Sequence, residues 1–225
     1  MYISLSVVTQ PYGAGASYGY VCGGGPYTLL SCIERFQFPF NNGTASRVGN
    51  LTATQSEAGV CNCSTYAYVC GYFTKDRFQF PFDNGTATCV GSGLEIWGQC
   101  GNNCSTYGYV CGGSSGTAIR RLQFPFEDGS LAYVGDLTIS SLIRISANNC
   151  STHGYVCGGT ESSSLSYINR FQFPFNSGTA NIIGNLSANY GKGVGANNCS
   201  IYGYVCGGAS SIIDRFQFPF NSWYS

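Results

Sequence analysis

Charge is the scarcest property of this 225-residue chain. Asp, Glu, Lys and Arg make up 9% of it, ten acids against ten bases, where a soluble protein typically carries about 25%. Such a surface must be solvated by neutral polar groups, by attached sugar or by other subunits. The basic residues are scattered, mostly as single arginines, so no stripe is present that could neutralise phosphates, which excludes nucleic acid as a partner. No apolar run approaches the roughly 18 residues needed to span a bilayer, so membrane insertion by a helix is not expected. The opening stretch MYISLSVVTQPYGAGA lacks the basic flank and long apolar core of a signal peptide. Export would then need a signal outside this chain or another release route, such as lysis. Helical periodicity is missing near the conserved-looking blocks, and histidine occurs once, at His153.

Cysteine is abundant instead. Thirteen cysteines point to an oxidising final location, outside the cell or on a virion surface, and this outweighs the missing signal.

The chain is also built from repeats. NNCSTYGYVCGG at 102–113 returns as NNCSTHGYVCGG at 148–159 and NNCSIYGYVCGG at 197–208, with weaker versions at 62–72 and 16–25. The Cys of each YVC, at Cys22, Cys70, Cys111, Cys157 and Cys206, recurs every 41 to 49 residues, the size of a propeller blade. A second block, RFQFPF or RLQFPF, begins at Arg35, Arg77, Arg121, Arg170 and Arg215, and a third, such as NNGTASRVGNL, follows it. Alternation in RFQFPF puts Arg and Gln on one face and Phe on the other, the period of a strand. The Asn-Gly or Asp-Gly after it suits a type I′ hairpin turn into an antiparallel partner. Pro in this block belongs at a strand end, an edge or a bulge. Each unit therefore supplies about four short antiparallel strands, with the double glycine expected where backbones crowd near a centre.

An apolar-apolar-x-Gly-Gly strand end at this period resembles the kelch type of β-propeller blade over nearly the whole chain. The wording GYVxGG, FPF, VGxL is also similar to repeats in uncharacterised phage and marine microbial proteins, which implies architecture more than activity. The expected fold is all-β: a single domain over 1–225, a five-bladed β-propeller of four-stranded antiparallel blades. Aligning Cys22 on Cys206 sets Met1 against Asn185, so YISLSVV is expected to close the ring by pairing with the last blade. The alternative is that it joins a neighbouring molecule and makes a fibre.

Four cysteine pairs recur at spacing seven: Cys63 and Cys70, Cys104 and Cys111, Cys150 and Cys157, Cys199 and Cys206. If the hairpin loop places these positions opposite each other, they form local disulfides; otherwise they are buried thiols packing as small hydrophobes. The spacing is unlike that of zinc ligands, so no metal is expected. Cys22, Cys32, Cys61, Cys89 and Cys100 are left over. Asn-x-Ser/Thr occurs at Asn42, Asn50, Asn62, Asn84, Asn103, Asn149, Asn185 and Asn198, either as glycosylation sites or as turn formers multiplied by repetition.

The recurring arginines, with Gln37, Gln79, Gln123, Gln172 and Gln217, could face a ligand. The preferred reading is structural, the guanidinium satisfying carbonyls between blades and Gln bridging strands. Catalysis would have to use His153, which replaces the Tyr of its sister repeats, or paired acids that recur in no motif, so no enzyme activity and no cofactor are expected. The kelch-like copper oxidases use several His ligands, and one His rules out carrying their activity over. The functional expectation is a structural or adhesive subunit whose partner is itself. The alternative is a glycan-binding propeller, in which Tyr stacks on sugar rings and Asn, Ser and Thr bond the hydroxyls; a glycan-active enzyme ranks third.

Overall fold

The computed structural model describes residues 6–9, 18–24, 29–114, 116–139, 143–160, 163–191, 194–207 and 211–221. These form a five-bladed β-propeller with no helix among them. Blade 1 contains β1 (Ser6–Thr9), β2 (Tyr18–Cys22), β3 (Leu30–Gln37) and β4 (Ser46–Gln55). Blade 2 contains β5 (Gly59–Asn62), β6 (Tyr66–Cys70), β7 (Thr74–Gln79) and β8 (Thr88–Ser92). Blade 3 contains β9 (Cys100–Asn103), β10 (Tyr107–Cys111), β11 (Ala118–Gln123) and β12 (Ala132–Asp136). Blade 4 contains β13 (Ser146–Asn149), β14 (His153–Cys157), β15 (Leu165–Gln172) and β16 (Asn181–Tyr190). Blade 5 has three strands among the described residues, β17 (Val194–Asn198), β18 (Tyr202–Gly207) and β19 (Ile213–Gln217). Within each blade successive strands are antiparallel neighbours, as the period-two alternation requires. The first strands of adjacent blades, β1, β5, β9, β13 and β17, pack in that order about the centre.

Three local expectations are corrected. The N-terminal strand does not complete the last blade: β1 pairs with β2, Ser6 opposite Cys22 and Thr9 opposite Gly19, as the innermost strand of blade 1. Residues 2–5 of YISLSVV lie outside the described residues. The turn after RFQFPF is no two-residue hairpin either, because eight residues, 38–45, separate β3 from β4. Proline sits just past the strand end, as expected, and the five Phe-Pro bonds are cis. The glycine of the NNG, DNG, EDG or NSG turn does take a positive φ, between 96° and 109°. Lastly, the double glycine follows the second strand rather than crowding the axis. Gly158 and Gly159 have φ of 64° and 103°, and the Gly159 N–H donates to the Tyr190 carbonyl at the end of β16 in the same blade.

Close approach at the centre comes from other glycines. A Cβ on Gly101 would lie 1.9 Å from the Val60 carbonyl oxygen of the blade before. One end of the axis is tied by the segments that lead into the inner strands. The Gln99 N–H donates to Glu57 O (3.2 Å), the Arg144 N–H donates to Gly98 O (3.0 Å), and Arg144 Nε reaches the buried Glu57 carboxylate at 3.1 Å.

Candidate functional site at the joints between blades

Among the described residues the buried core is not one mass but four clusters, each filling the gap between consecutive blades. Tyr20, Ile33 and Leu51 of blade 1 meet Val69, Phe78 and Phe80 of blade 2. Cys61, Tyr68 and Cys70 of blade 2 meet Val110 and Leu122 of blade 3. Tyr109, Cys111 and Ile119 of blade 3 meet Val156, Phe171 and Phe173 of blade 4. Tyr155, Cys157 and Ile168 of blade 4 meet Val205, Phe216 and Phe218 of blade 5. Strand alternation gives each blade two working faces, and the repeat motifs divide between them.

One face carries Tyr and Arg. The hydroxyl of Tyr20 accepts the Phe82 N–H of the next blade, Tyr68 accepts from Phe126, Tyr109 from Phe175 and Tyr155 from Phe220, each at 3.0 Å. The ring beneath each hydroxyl packs on the next blade's aromatic pair, as Tyr109 does on Phe171 and Phe173 at 5.4 and 5.2 Å between centroids. Burial pushes the phenols of Tyr68, Tyr109 and Tyr155 up to about 12, opposed only in part by the donated N–H. The arginines act as expected from the sequence. Arg77 donates to the Phe126 carbonyl (3.2 Å) and Glu127 (2.7 Å), and Arg170 donates to the Phe220 carbonyl (3.0 Å) and Asn221. Arg35 makes the same pair of contacts with Phe82 O and Asp83, and Arg121 with Phe175 O and Asn176. Three of these guanidiniums are held in aim by an aromatic ring, Arg35 over Tyr18 at 4.4 Å and Arg77 over Tyr66 and Arg121 over Tyr107, both at 4.5 Å.

The opposite face receives. In blades 2, 4 and 5 the side chain just before the recurring arginine accepts a backbone N–H from the blade before: Asp76 from Thr52, Asn169 from Thr138, Asp214 from Ser187. Burial raises the Asp76 carboxyl, and its bonds from Thr52 and Thr74 offset part of that rise. The third motif block serves the joint too. The Asn50 N–H donates to Gly85 O and Ala87 N–H returns to Asn50 O, and Asp136 pairs with Gly178 and Ala180 in the same way. A Cβ on Gly49 would sit 2.2 Å from the Gly85 oxygen and one on Gly135 2.1 Å from the Gly178 oxygen, which is why VGxL needs its glycine.

The cysteines do not pair as the spacing suggested. The Cys63 N–H donates to Tyr66 O, so the turn is Ser64-Thr65, and the register puts Cys70 opposite Gly59. Cys63 and Cys70 therefore lie four residues apart along the ladder, about 13 Å, beyond the roughly 7 Å between Cα atoms that a disulfide tolerates. The same register separates Cys104 from Cys111, Cys150 from Cys157 and Cys199 from Cys206, and all thirteen cysteines are free thiols. The first of each pair sits at the turn, where the sulfur of Cys63 or Cys199 accepts the N–H three residues on (3.4 and 3.3 Å). Cys70, Cys111 and Cys157 pack in joints as small hydrophobes, whereas Cys206 is half-buried. Of the leftover cysteines, Cys22 and Cys61 are buried, Cys32 is half-buried, Cys89 is exposed, and Cys100 lies buried directly opposite Cys111.

Desolvation drives the thiols of Cys22, Cys100 and Cys157 upward, the last to about 12, and the hydrogen bond with Cys70 followed by desolvation raises Cys61, whereas backbone N–H groups lower exposed Cys199. Native alkylation at neutral pH should thus label Cys199 fastest, with exposed Cys89 also open to reagent. Cys22, Cys61, Cys70, Cys100, Cys111 and Cys157 should react only after denaturation. Peptide mass mapping after a timed pulse reads this directly, and labelling of Cys157 at the rate of Cys199 would contradict it.

The remaining candidates are distributed rather than gathered. Gln37, Gln79, Gln123, Gln172 and Gln217 are exposed at the strand ends, opposite Tyr18, Tyr66, Tyr107, His153 and Tyr202, and form no bridge between strands among the described residues. His153 takes the place of the arginine-stacked Tyr, with Nδ1 2.9 Å from the Thr152 hydroxyl, and desolvation followed by Arg170 lowers its pKa. Among the described residues no group of three or more His, Cys, Asp or Glu is placed to hold a metal. Asn42, Asn84, Asn185 and Asn198 are exposed, while Asn50, Asn62, Asn103 and Asn149 are half-buried, and Asn50 is engaged in the first joint. The tyrosine hydroxyl contacts left no sequence signal except the recurrence of Tyr two residues before each YVC cysteine.

Among the described residues no such joint links blade 5 to blade 1. Tyr20, Tyr68, Tyr109 and Tyr155 are at most 1% exposed, and Ile33, Ile119 and Ile168 likewise. Their blade 5 counterparts differ: Tyr204 is half-buried, Arg215 is exposed and Ile213 is 68% exposed. Blade 1 shows the reciprocal defect. Phe36 and Val21 are half-buried where Phe78, Phe171, Phe216, Val69, Val110, Val156 and Val205 are buried, and Phe40 is 46% exposed. No protein-family model matches the chain, and no curated protein is similar to it.

Proposed function

We infer that the protein is a non-catalytic structural or adhesive subunit that assembles with copies of itself, outside the cell or on a virion surface. One observation supports this above the others: the recurring Tyr, Arg and Phe positions, with the VGxL glycines Gly49 and Gly135, bind one blade to the next at four joints. The repeat thus encodes a joint, not a pocket. A protein that multiplies one joint and carries little charge is suited to building arrays. In this reading the blades are of the kelch type, on the strength of the Gly-Gly strand ends and the repeat length, and the cellular placement rests on the cysteine content. The glycan-binding alternative draws less support, because the tyrosines it would use at the second-strand positions are held within joints or beneath arginines.

The experiment is a concentration series of the purified chain followed by light scattering and negative-stain imaging. Mass that grows with concentration, with extended or closed particles of several copies, is the expected result. Monodisperse single chains at the highest concentration would overturn it.

A further inference from the structure

The two unjoined end faces are halves of one joint whose complete form occurs four times in the same molecule. Blade 5 offers the donor half, with Tyr204 in place of Tyr20, Arg215 in place of Arg35 and Ile213 in place of Ile33. Blade 1 offers the receiving half: Phe36, Phe38 and Phe40 in place of Phe78, Phe80 and Phe82, followed by Asn41 in place of Asp83. Among the described residues neither half is covered, and the core cluster that marks each of the other joints is absent between these blades. Resting on the self-assembly reading, we propose that blade 5 of one copy docks on blade 1 of the next, head to tail, through a fifth version of the internal joint.

The chemistry of the fit is specified by its four precedents. The Tyr204 hydroxyl accepts the Phe40 N–H, and its ring covers Phe36 and Phe38. Arg215, already stacked on Tyr202 at 4.6 Å, donates to the Phe40 carbonyl and the Asn41 side-chain oxygen. The Arg121 contact with Asn176 and the Arg170 contact with Asn221 show that asparagine serves at this position as well as a carboxylate. Ile213 and Cys206 meet Val21. The occupant is a second copy because, among the described residues, the unfilled complement of each face lies on the other end of the chain, and a joint made within one chain would leave both faces buried. Such an interface is heterologous, so it propagates: every copy added leaves one donor half and one receiving half free, which gives a filament or a ring of copies.

The test uses two full-length variants whose changes fall on exposed positions. Ile213→Asp with Arg215→Glu disables the blade 5 face, and Phe40→Asp disables the blade 1 face. Each variant alone should remain a single chain by multi-angle light scattering under conditions where the parent elongates, with circular dichroism like the parent's. An equimolar mixture should give particles of twice the chain mass and no larger, since only one productive pairing exists. Variants that still elongate would overturn the head-to-tail joint while leaving self-assembly standing through another surface, as would a mixture that stays monomeric. A parent that never associates would remove the self-assembly reading itself. A fourth arm separates joining within one chain: Asn41→Cys with Arg215→Cys, oxidised at low concentration. Cross-linked dimers and higher species agree with the proposal; a cross-link confined to single chains would overturn it.

Discussion

Replacing Tyr109 with alanine should lower the unfolding free energy by about 3–5 kcal/mol, the range for truncating a fully buried large aromatic side chain. Tyr109 is 0% exposed, packs on Phe171 and Phe173 of the next blade, and accepts the Phe175 N–H. Alanine would leave a cavity at the joint and a backbone donor without its partner. Tyr109→Phe isolates the second effect, with an expected cost of about 1–3 kcal/mol for the orphaned N–H. Tyr204→Ala supplies the contrast, because the same residue type at the same repeat position is half-buried and makes no joint within the chain. Its cost should stay within about 0.5 kcal/mol, as for a surface site. Urea titration at a concentration where the chain is monomeric measures all three. Because the joints link each blade to its neighbours, with the Arg144–Glu57 ion pair as an added tie, the loss at Tyr109 should also broaden the transition, the arm of blades 1 to 3 melting apart from blades 4 and 5. Equal effects at Tyr109 and Tyr204 would refute the distinction between joined and unjoined faces.

That distinction also marks how much was legible in the residues. Blade number and strand order followed from the period of the YVC cysteines and from alternation in RFQFPF, since both depend on spacing along one strand. The interblade role of Arg35, Arg77, Arg121 and Arg170 followed from a side chain too long and too polar to be idle at a recurring position. The cysteine pairing failed because it hinged on where a two-residue turn falls. Ser64-Thr65 follows Cys63 immediately, so spacing seven spans one strand's length instead of bridging two. The N-terminal strand failed for a related reason: alternation in YISLSVV says that the segment is a strand but not which edge it joins, and β2 offers the same ladder as any other blade's second strand. The Tyr hydroxyl contacts and the reciprocal backbone bonds of Asn50 and Asp136 depend on the separation of two sheets, which no pattern along one chain reports.

Gly101→Ala should cost about 3 kcal/mol, the upper part of the range for forcing atoms into a packed interior. The added methyl would meet the Val60 oxygen at 1.9 Å, the Val60 carbon at 2.5 Å and the Val60 nitrogen at 2.8 Å. All three are backbone atoms of β5, so no side-chain rotation can relieve them; β9 must move away from β5 and loosen the seam between blades 2 and 3. The register makes the requirement local. The positions equivalent to Gly101 are Val7, Val60, Ala147 and Ala196, paired with Val21, Val69, Val156 and Val205 as Gly101 is with Val110. A side chain is thus tolerated there wherever the preceding inner strand stands farther off, and the strand geometry itself does not call for glycine. Gly195→Ala provides the control, since its new methyl would meet nothing closer than 3.8 Å. It should leave the urea midpoint within experimental spread of the parent, while Gly101→Ala lowers the midpoint with little change in slope if the molecule still melts as one unit. A harmless Gly101→Ala would mean that blades 2 and 3 stand farther apart than the fold requires, and the close approach at the axis would have to be abandoned.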